Sequence, residues 1–108
     1  MTAILDYGAG NLTSVLLALR HLGDDPVITA DPAVAARADR IVFPGVGSAK
    51  SGMLGLQRAN MDEALRDAYG CGKPILAICL GMQMLLESSE EDGGVDALAL
   101  LPLVVIKA

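Results

Sequence analysis

The chain has 108 residues, of which 53% are hydrophobic and 19% charged, and its formal net charge at pH 7 is −5. This length suits one domain at most, and the negative charge argues against nucleic acid or an anionic membrane as the main partner. The sequence shows neither a signal peptide nor an apolar run of about 18 residues, so we expect a cytoplasmic protein whose two cysteines are both reduced.

Strands and helices are predicted to alternate along the chain. Apolar runs predict strands at Thr2–Leu5, Pro26–Thr29 and Ile41–Phe43, in the run that ends at Ile78, and at Leu103–Ile106. Helical spacing predicts helices at Leu12–Leu22, from Asp31 to about Ala38, at Asp62–Tyr69, and from Cys79 to about Glu87. Loops are predicted from Pro44 to Gly52 and over Ser88–Gly94. This order predicts an α/β fold with a mostly parallel sheet and helices on both faces, formed by residues 1–108 as a single domain.

Cys79 lies where the apolar strand ending at Ile78 gives way to a helix. A tight strand-to-helix turn of this kind is a nucleophile elbow, which pushes the reactive atom out of the sheet, and the helix N-terminus favours the thiolate. Gly81 leaves room for such a turn, although Ala77 stands where the elbow pattern usually has glycine. The alternative is a structural cysteine that packs as a small apolar residue.

Two glycine-containing loops also follow predicted strands. The loop after Phe43 contains Gly45 and Gly47, whose unhindered N–H groups, together with that of Leu80, can form an oxyanion hole beside Cys79. The alternative is that this loop only connects two elements of secondary structure. The loop with Gly8 and Gly10 imitates a dinucleotide fingerprint but has Thr13 in place of the third glycine, and Lys50-Ser51 imitates a Walker A ending without its glycines. Nucleotide binding therefore stays an alternative that rests on incomplete motifs.

His21 is the only histidine, and it lies at the predicted end of the first helix, where the helix dipole favours it as a surface residue. A cysteine nucleophile in acyl transfer normally needs a base and an acid that orients the base. The chain thus offers a nucleophile and an oxyanion hole but no convincing base.

Three motifs together resemble the class I glutamine amidotransferases, and more narrowly the glutaminase subunits of imidazole glycerol phosphate synthase, a complex of histidine biosynthesis. The motifs are Asp6–Leu12 with Ser14, Pro44–Gly47, and Ile78–Gln83 with Glu87–Glu91. Their order and spacing along the chain match the pattern of those subunits. The N-terminal motif separates this subfamily from other amidotransferases. The resemblance implies a flavodoxin-like fold. Ser48, Ala49 and Lys50 depart from the aromatic and glycine pattern of the family.

The resemblance implies a role for several residues. Cys79 attacks the side-chain amide of glutamine and releases ammonia, while Gly45, Gly47 and the N–H of Leu80 hold the oxyanion. Gln83 and Glu87 help to seat glutamine. Ammonia passes to a (β/α)8-barrel cyclase partner, toward which Asn11 lies. No cofactor or metal is implied.

Members of this family are about twice as long, with the catalytic His and Glu in the second half. We therefore expect an N-terminal half-domain that is not a competent glutaminase by itself. One alternative is a non-enzymatic module that binds a partner or forms a homodimer through an exposed apolar sheet edge, which the high hydrophobic share favours. The other is a nucleotide-binding α/β domain.

Overall fold

The computed structural model describes residues 1–86, 88–89, 94–100 and 104–105. Its main sheet has four strands, all parallel, in the order β2-β1-β3-β4. They are β1 (Thr2–Leu5), β2 (Val27–Thr29), β3 (Arg40–Phe43) and β4 (Ile75–Ala77). The predicted parallel α/β sheet is therefore confirmed, and its strand order is that of the flavodoxin-like folds.

Helices connect these strands as predicted, with one difference at the third. They are α1 (Leu12–His21), α2 (Pro32–Arg37), α3 (Ala49–Arg58), α4 (Met61–Gly70) and α5 (Leu80–Met84). The loop predicted to extend to Gly52 is wrong, because α3 begins at Ala49 and Ser48 caps it by accepting a hydrogen bond from the N–H of Ser51 at 3.1 Å. Gly52 is buried inside this helix, where a methyl group would press on Met84.

A second, smaller sheet follows α5. It has the order β6-β5-β7, from β5 (Ser88–Ser89), β6 (Val95–Asp96) and β7 (Val104–Val105). The prediction of a loop over Ser88–Gly94 is wrong at its start, because β5 pairs antiparallel with β6 and parallel with β7. The last predicted strand thus pairs with β5 rather than with the main sheet, and its end residues Leu103 and Ile106 lie outside the described residues.

The core lies on one face of the main sheet. Helices α2 to α5 pack there on side chains that alternate along the strands, among them Leu5, Ile41 and Phe43, all at most 1% exposed. The opposite face carries Ile4, Val42 and Leu76, which share one row of the register. Of the helices that the structure describes, only α1 covers this second face.

The sheet face that carries Ile4, Val42 and Leu76 and that α1 covers is called the α1 face. The described part of the chain covers it incompletely. Leu19 and Leu22 of the α1 region line, with Val42 and Leu76, an open cavity of about 420 Å³. Leu22 is 79% and Leu76 56% exposed. Large apolar side chains at this exposure indicate a surface that is built to be covered. None of the helices in the described ranges is long and apolar enough to cross a membrane.

Candidate functional site

Two neighbouring strands end side by side at the carboxyl edge of the main sheet. Phe43 of β3 is in register with Ala77 of β4, so the segments that follow them leave the sheet together. The N–H of Ile78 donates to the carbonyl of Phe43 at 3.0 Å and extends the ladder by one bond. The Pro44–Gly47 segment and Cys79 are therefore neighbours in space, at the edge where open α/β sheets bind ligands.

Cys79 has the backbone of a nucleophile elbow. Its φ is 53° and its ψ is −119°, a combination that costs energy for any residue with a Cβ. Its side chain is exposed, and its backbone caps the N-terminus of α5. Gly81 permits the turn, because a methyl group there would collide with the carbonyl oxygen of Phe43. The strained turn thus presents the Cys79 thiol to solvent at the sheet edge.

The glycine loop lies directly against this turn. The N–H of Leu80 donates to the carbonyl of Gly45 at 3.1 Å. Gly45 is buried, and a methyl group on it would collide with the Tyr7 hydroxyl and approach the Leu80 Cβ to 3.1 Å. Gly47 has a φ of 101° and open space around its Cα. The structure therefore brings Gly45, Leu80 and Cys79 together, with the Leu80 N–H engaged by the loop itself.

Tyr7 belongs to this cluster, although the sequence reading assigned it no role. Its hydroxyl donates to the carbonyl of Pro44 at 2.5 Å, and its ring packs on Phe43 with 5.5 Å between ring centroids. Burial raises the pKa of the Tyr7 hydroxyl well above its usual range. The bond spans 37 positions of sequence, so only the fold reveals it.

The remaining predicted residues lie at different distances from this cluster. Gln83 is half-buried in α5, where its N–H donates to the carbonyl of Cys79 at 3.2 Å, and Glu87 lies outside the described residues. Asn11 is exposed and caps α1 by accepting from the N–H of Ser14 at 3.3 Å. Its neighbour Gly10 lies close to Gly45, since a methyl group on Gly10 would come within 3.7 Å of the Gly45 Cα.

His21 lies far from Cys79 in the fold. It ends α1 and is exposed, and the residues that follow it line a cavity with Thr2, at the start of β1. In a parallel sheet the strand starts and the strand ends form opposite edges, so His21 is on the edge away from Cys79. The single histidine of this chain therefore does not supply a base to the site.

Cys71 is also free and exposed. It follows α4 as its C-cap, and its thiol donates to the carbonyl of Ala68 at 3.4 Å. It precedes β4, whereas Cys79 follows that strand. The two cysteines thus lie at opposite ends of β4.

Comparison with known proteins places the chain in a family. Residues 3–99 match the family described as glutamine amidotransferase class-I. Imidazole glycerol phosphate synthase subunit HisH of Acinetobacter baylyi is 55% identical over 98 residues, which are 91% of this chain and 47% of the relative. The subunit of the same name from Desulfovibrio desulfuricans is 55% identical over 92 residues, 85% of this chain and 42% of the relative.

The fold agrees with this assignment. A solved structure titled as that of a glutamine amidotransferase superposes with a TM-score of 0.81 and 17% identity, over 98% of this chain and 56% of that chain. The chain thus spans about half the length of the relatives it matches. With the matched residues 3–99 taking in the elbow at Cys79 and the glycine loop at Gly45, the chain belongs to the class I glutamine amidotransferase family.

Proposed function

We propose that residues 1–108 form one partial domain, the N-terminal half of the glutaminase subunit of an imidazole glycerol phosphate synthase. The strained elbow at Cys79, held against the glycine loop, is the observation that carries this proposal. The similarity to subunits of that name at 55% identity supports it. The complex works in the cytoplasm, in histidine biosynthesis.

In this proposal the Cys79 thiolate attacks the side-chain amide carbon of glutamine. The carbonyl oxygen becomes an oxyanion, which the N–H groups of the Gly45–Gly47 loop and of Leu80 stabilise. The C–N bond then breaks, ammonia leaves with an added proton, and water hydrolyses the resulting thioester to glutamate. Gln83 and Glu87 hold the substrate.

The proton transfers need a base, and His21, the single histidine, lies at the other end of the sheet from Cys79. The residues that the relatives have beyond the matched half are the proposed source of that base and of the group that orients it. The same residues are the proposed cover for the α1 face, where Leu22 and Leu76 are exposed beside the cavity. Without that second half we expect negligible glutaminase activity, because loss of one member of a catalytic triad typically removes several orders of magnitude in rate.

The proposal includes two partners. A (β/α)8-barrel cyclase receives the ammonia and forms a heterodimer with the completed subunit. Asn11 is the proposed contact, because it is exposed on the loop that packs beside Gly45. In the absence of the second half, a homodimer that covers the exposed apolar surface is the alternative, which the exposure of Leu22 and Leu76 favours.

A complementation experiment tests the proposed function. The 108-residue chain is co-expressed with the C-terminal half of the Acinetobacter baylyi relative, and ammonia release from glutamine is measured for each half and for the pair. We expect activity from the pair only, abolished by Cys79→Ala and retained in Cys71→Ala. A folded pair without Cys79-dependent ammonia release would contradict the proposal.

A covalent label provides a second test on the chain alone. A chloroketone analogue of glutamine should alkylate Cys79 in preference to Cys71, because the elbow presents Cys79 at the proposed glutamine site. Excess glutamine should slow this labelling, and mass spectrometry should locate the adduct. Equal or faster labelling of Cys71 in the folded chain would count against Cys79 as the nucleophile.

A further inference from the structure

We propose that Tyr7 is a positioning residue of the glycine loop: its hydroxyl holds the carbonyl of Pro44 and thereby fixes the Gly45 peptide against Leu80. The catalytic meaning of this inference rests on the proposed glutaminase function. The hydrogen bond itself joins two residues that the structure describes.

Three successive carbonyls of the loop are each bonded. Those of Phe43 and Gly45 accept from the N–H groups of Ile78 and Leu80, at 3.0 and 3.1 Å. The carbonyl of Pro44, between them, accepts from the Tyr7 hydroxyl at 2.5 Å. Because neighbouring carbonyls of an extended chain point in opposite directions, the elbow holds one side of the loop and Tyr7 the other.

Proline makes this side-chain bond necessary. Pro44 has no N–H, so its backbone can be tied to the surrounding fold only through its carbonyl. That carbonyl lies next to a fully buried Phe43 and a buried Gly45. A buried carbonyl without a donor is costly, and the Tyr7 hydroxyl removes that cost.

Tyr7 is itself held in place on several sides. It lies two residues after the end of β1, it is 5% exposed, and its ring packs on Phe43 at a tilt of 55°. Its backbone carbonyl lies against Gly55 of α3, where a methyl group would collide with it. A donor fixed in this way presents one geometry to Pro44, and so it holds the loop in the arrangement in which Gly45 accepts from the N–H of Leu80.

The test compares two phenylalanine variants of the chain. Tyr7→Phe removes the hydroxyl and keeps the ring, while Tyr69→Phe makes the same change at the other, 49% exposed tyrosine. Amide hydrogen exchange is followed by NMR at Leu80 and at Ile78, whose bond to Phe43 serves as an internal reference. The 13C shift of the Pro44 carbonyl is recorded in the same samples.

In Tyr7→Phe we expect Leu80 exchange to accelerate about tenfold relative to Ile78, the size expected for loss of one buried hydrogen bond, and the Pro44 carbonyl signal to move upfield. Tyr69→Phe should change neither. Equal acceleration at Leu80 and Ile78, or an unmoved Pro44 signal, would overturn the proposal, because a merely structural tyrosine would lower protection throughout. These readouts need neither glutamine nor a partner, so they fail or succeed independently of the complementation experiment.

If Tyr7→Phe does not fold, the unaltered chain still provides the test. A hydroxyl that donates a buried hydrogen bond exchanges slowly with water and gives a proton resonance of its own. We expect such a resonance for the Tyr7 hydroxyl, with a nuclear Overhauser effect to Pro44 or Gly45, and its absence would overturn the proposal.

Discussion

The backbone N–H of Leu80 donates to the carbonyl of Gly45 at 3.1 Å. Leu80 follows the cysteine of the elbow, and Gly45 belongs to the loop that is expected to hold an oxyanion. The two segments therefore bind each other in this arrangement. An oxyanion can use the Leu80 N–H only after this bond has opened, so the stability of the loop and the availability of its donors oppose each other.

Gly45→Ala should destabilise the chain. The added methyl group would collide with the Tyr7 hydroxyl and press on the Leu80 Cβ, so we expect the free energy of unfolding to fall by about 1–3 kcal/mol. Urea denaturation measures the change. Gly70→Ala is the control, because Gly70 ends α4 with open space around it and should be neutral or stabilising. Equal effects of the two substitutions would show that Gly45 is not closely packed.

The elbow should prefer glycine to alanine. In ordinary helix or strand conformations glycine is the less stable of the two, but at a φ of 53° and a ψ of −119° we expect Cys79→Gly to exceed Cys79→Ala in unfolding free energy by about 1 kcal/mol. Cys71, with a φ of −93° and a ψ of 7°, is the matched control, and there alanine should be at least as stable. The same order of stability at both cysteines would mean that position 79 is unstrained.

Alkaline pH should expose the burial of Tyr7. Its pKa is raised by burial, so the folded state keeps the phenol proton more tightly than the unfolded state does. The contribution of the protonated Tyr7 to the free energy of unfolding is therefore fully present below about pH 10. It is lost as the pH rises further, by up to about 1.4 kcal/mol per pH unit. Absorbance titration of Tyr69→Phe, which leaves Tyr7 as the only tyrosine, should show ionisation well above pH 10. An ordinary midpoint for the titration of Tyr7 in the folded protein would refute the burial. The Tyr7→Phe variant should lose less stability at high pH than the unaltered chain does.

The isolated chain should self-associate through the α1 face. Leu76→Lys should weaken this association, because Leu76 is 56% exposed at the cavity beside α1 and a lysine there would have to lose water on contact. Sedimentation velocity at micromolar concentration measures the effect. Leu54→Lys, at a 44% exposed position on α3, should leave association unchanged. A concentration-independent monomer would contradict the prediction.

Much of the main sheet and its helices could be predicted, because β1 is a short apolar run and α1 has apolar residues at helical spacing. The start of α3 was missed because Ser48 and Gly52 are typical of loops, whereas here Ser48 caps a helix and Gly52 lets α3 approach Met84. Of the second sheet only the last strand was predicted, because β5 and β6 have two residues each, too few for a period.

The candidate site, too, could be predicted from the sequence only in part. Cys79 could be found from its place at the junction of two periods, and the fold confirms that its backbone is strained. Tyr7 could not be found, because its role depends on Pro44, a residue 37 positions away. A local pattern predicts local geometry, whereas a bond across the sheet depends on how the strands are ordered.

Gly45, Gly55 and Gly81 each lie where a methyl group would strike a neighbouring side chain or backbone. In genetic terms, every missense change of a glycine codon adds at least a Cβ, so among single-nucleotide substitutions only the synonymous ones avoid the collision. These three positions are therefore closed to neutral amino-acid replacement. In a saturation mutagenesis library of this gene, few substitutions should be tolerated at these three positions. Many should be tolerated at Gly70, whose surroundings are open.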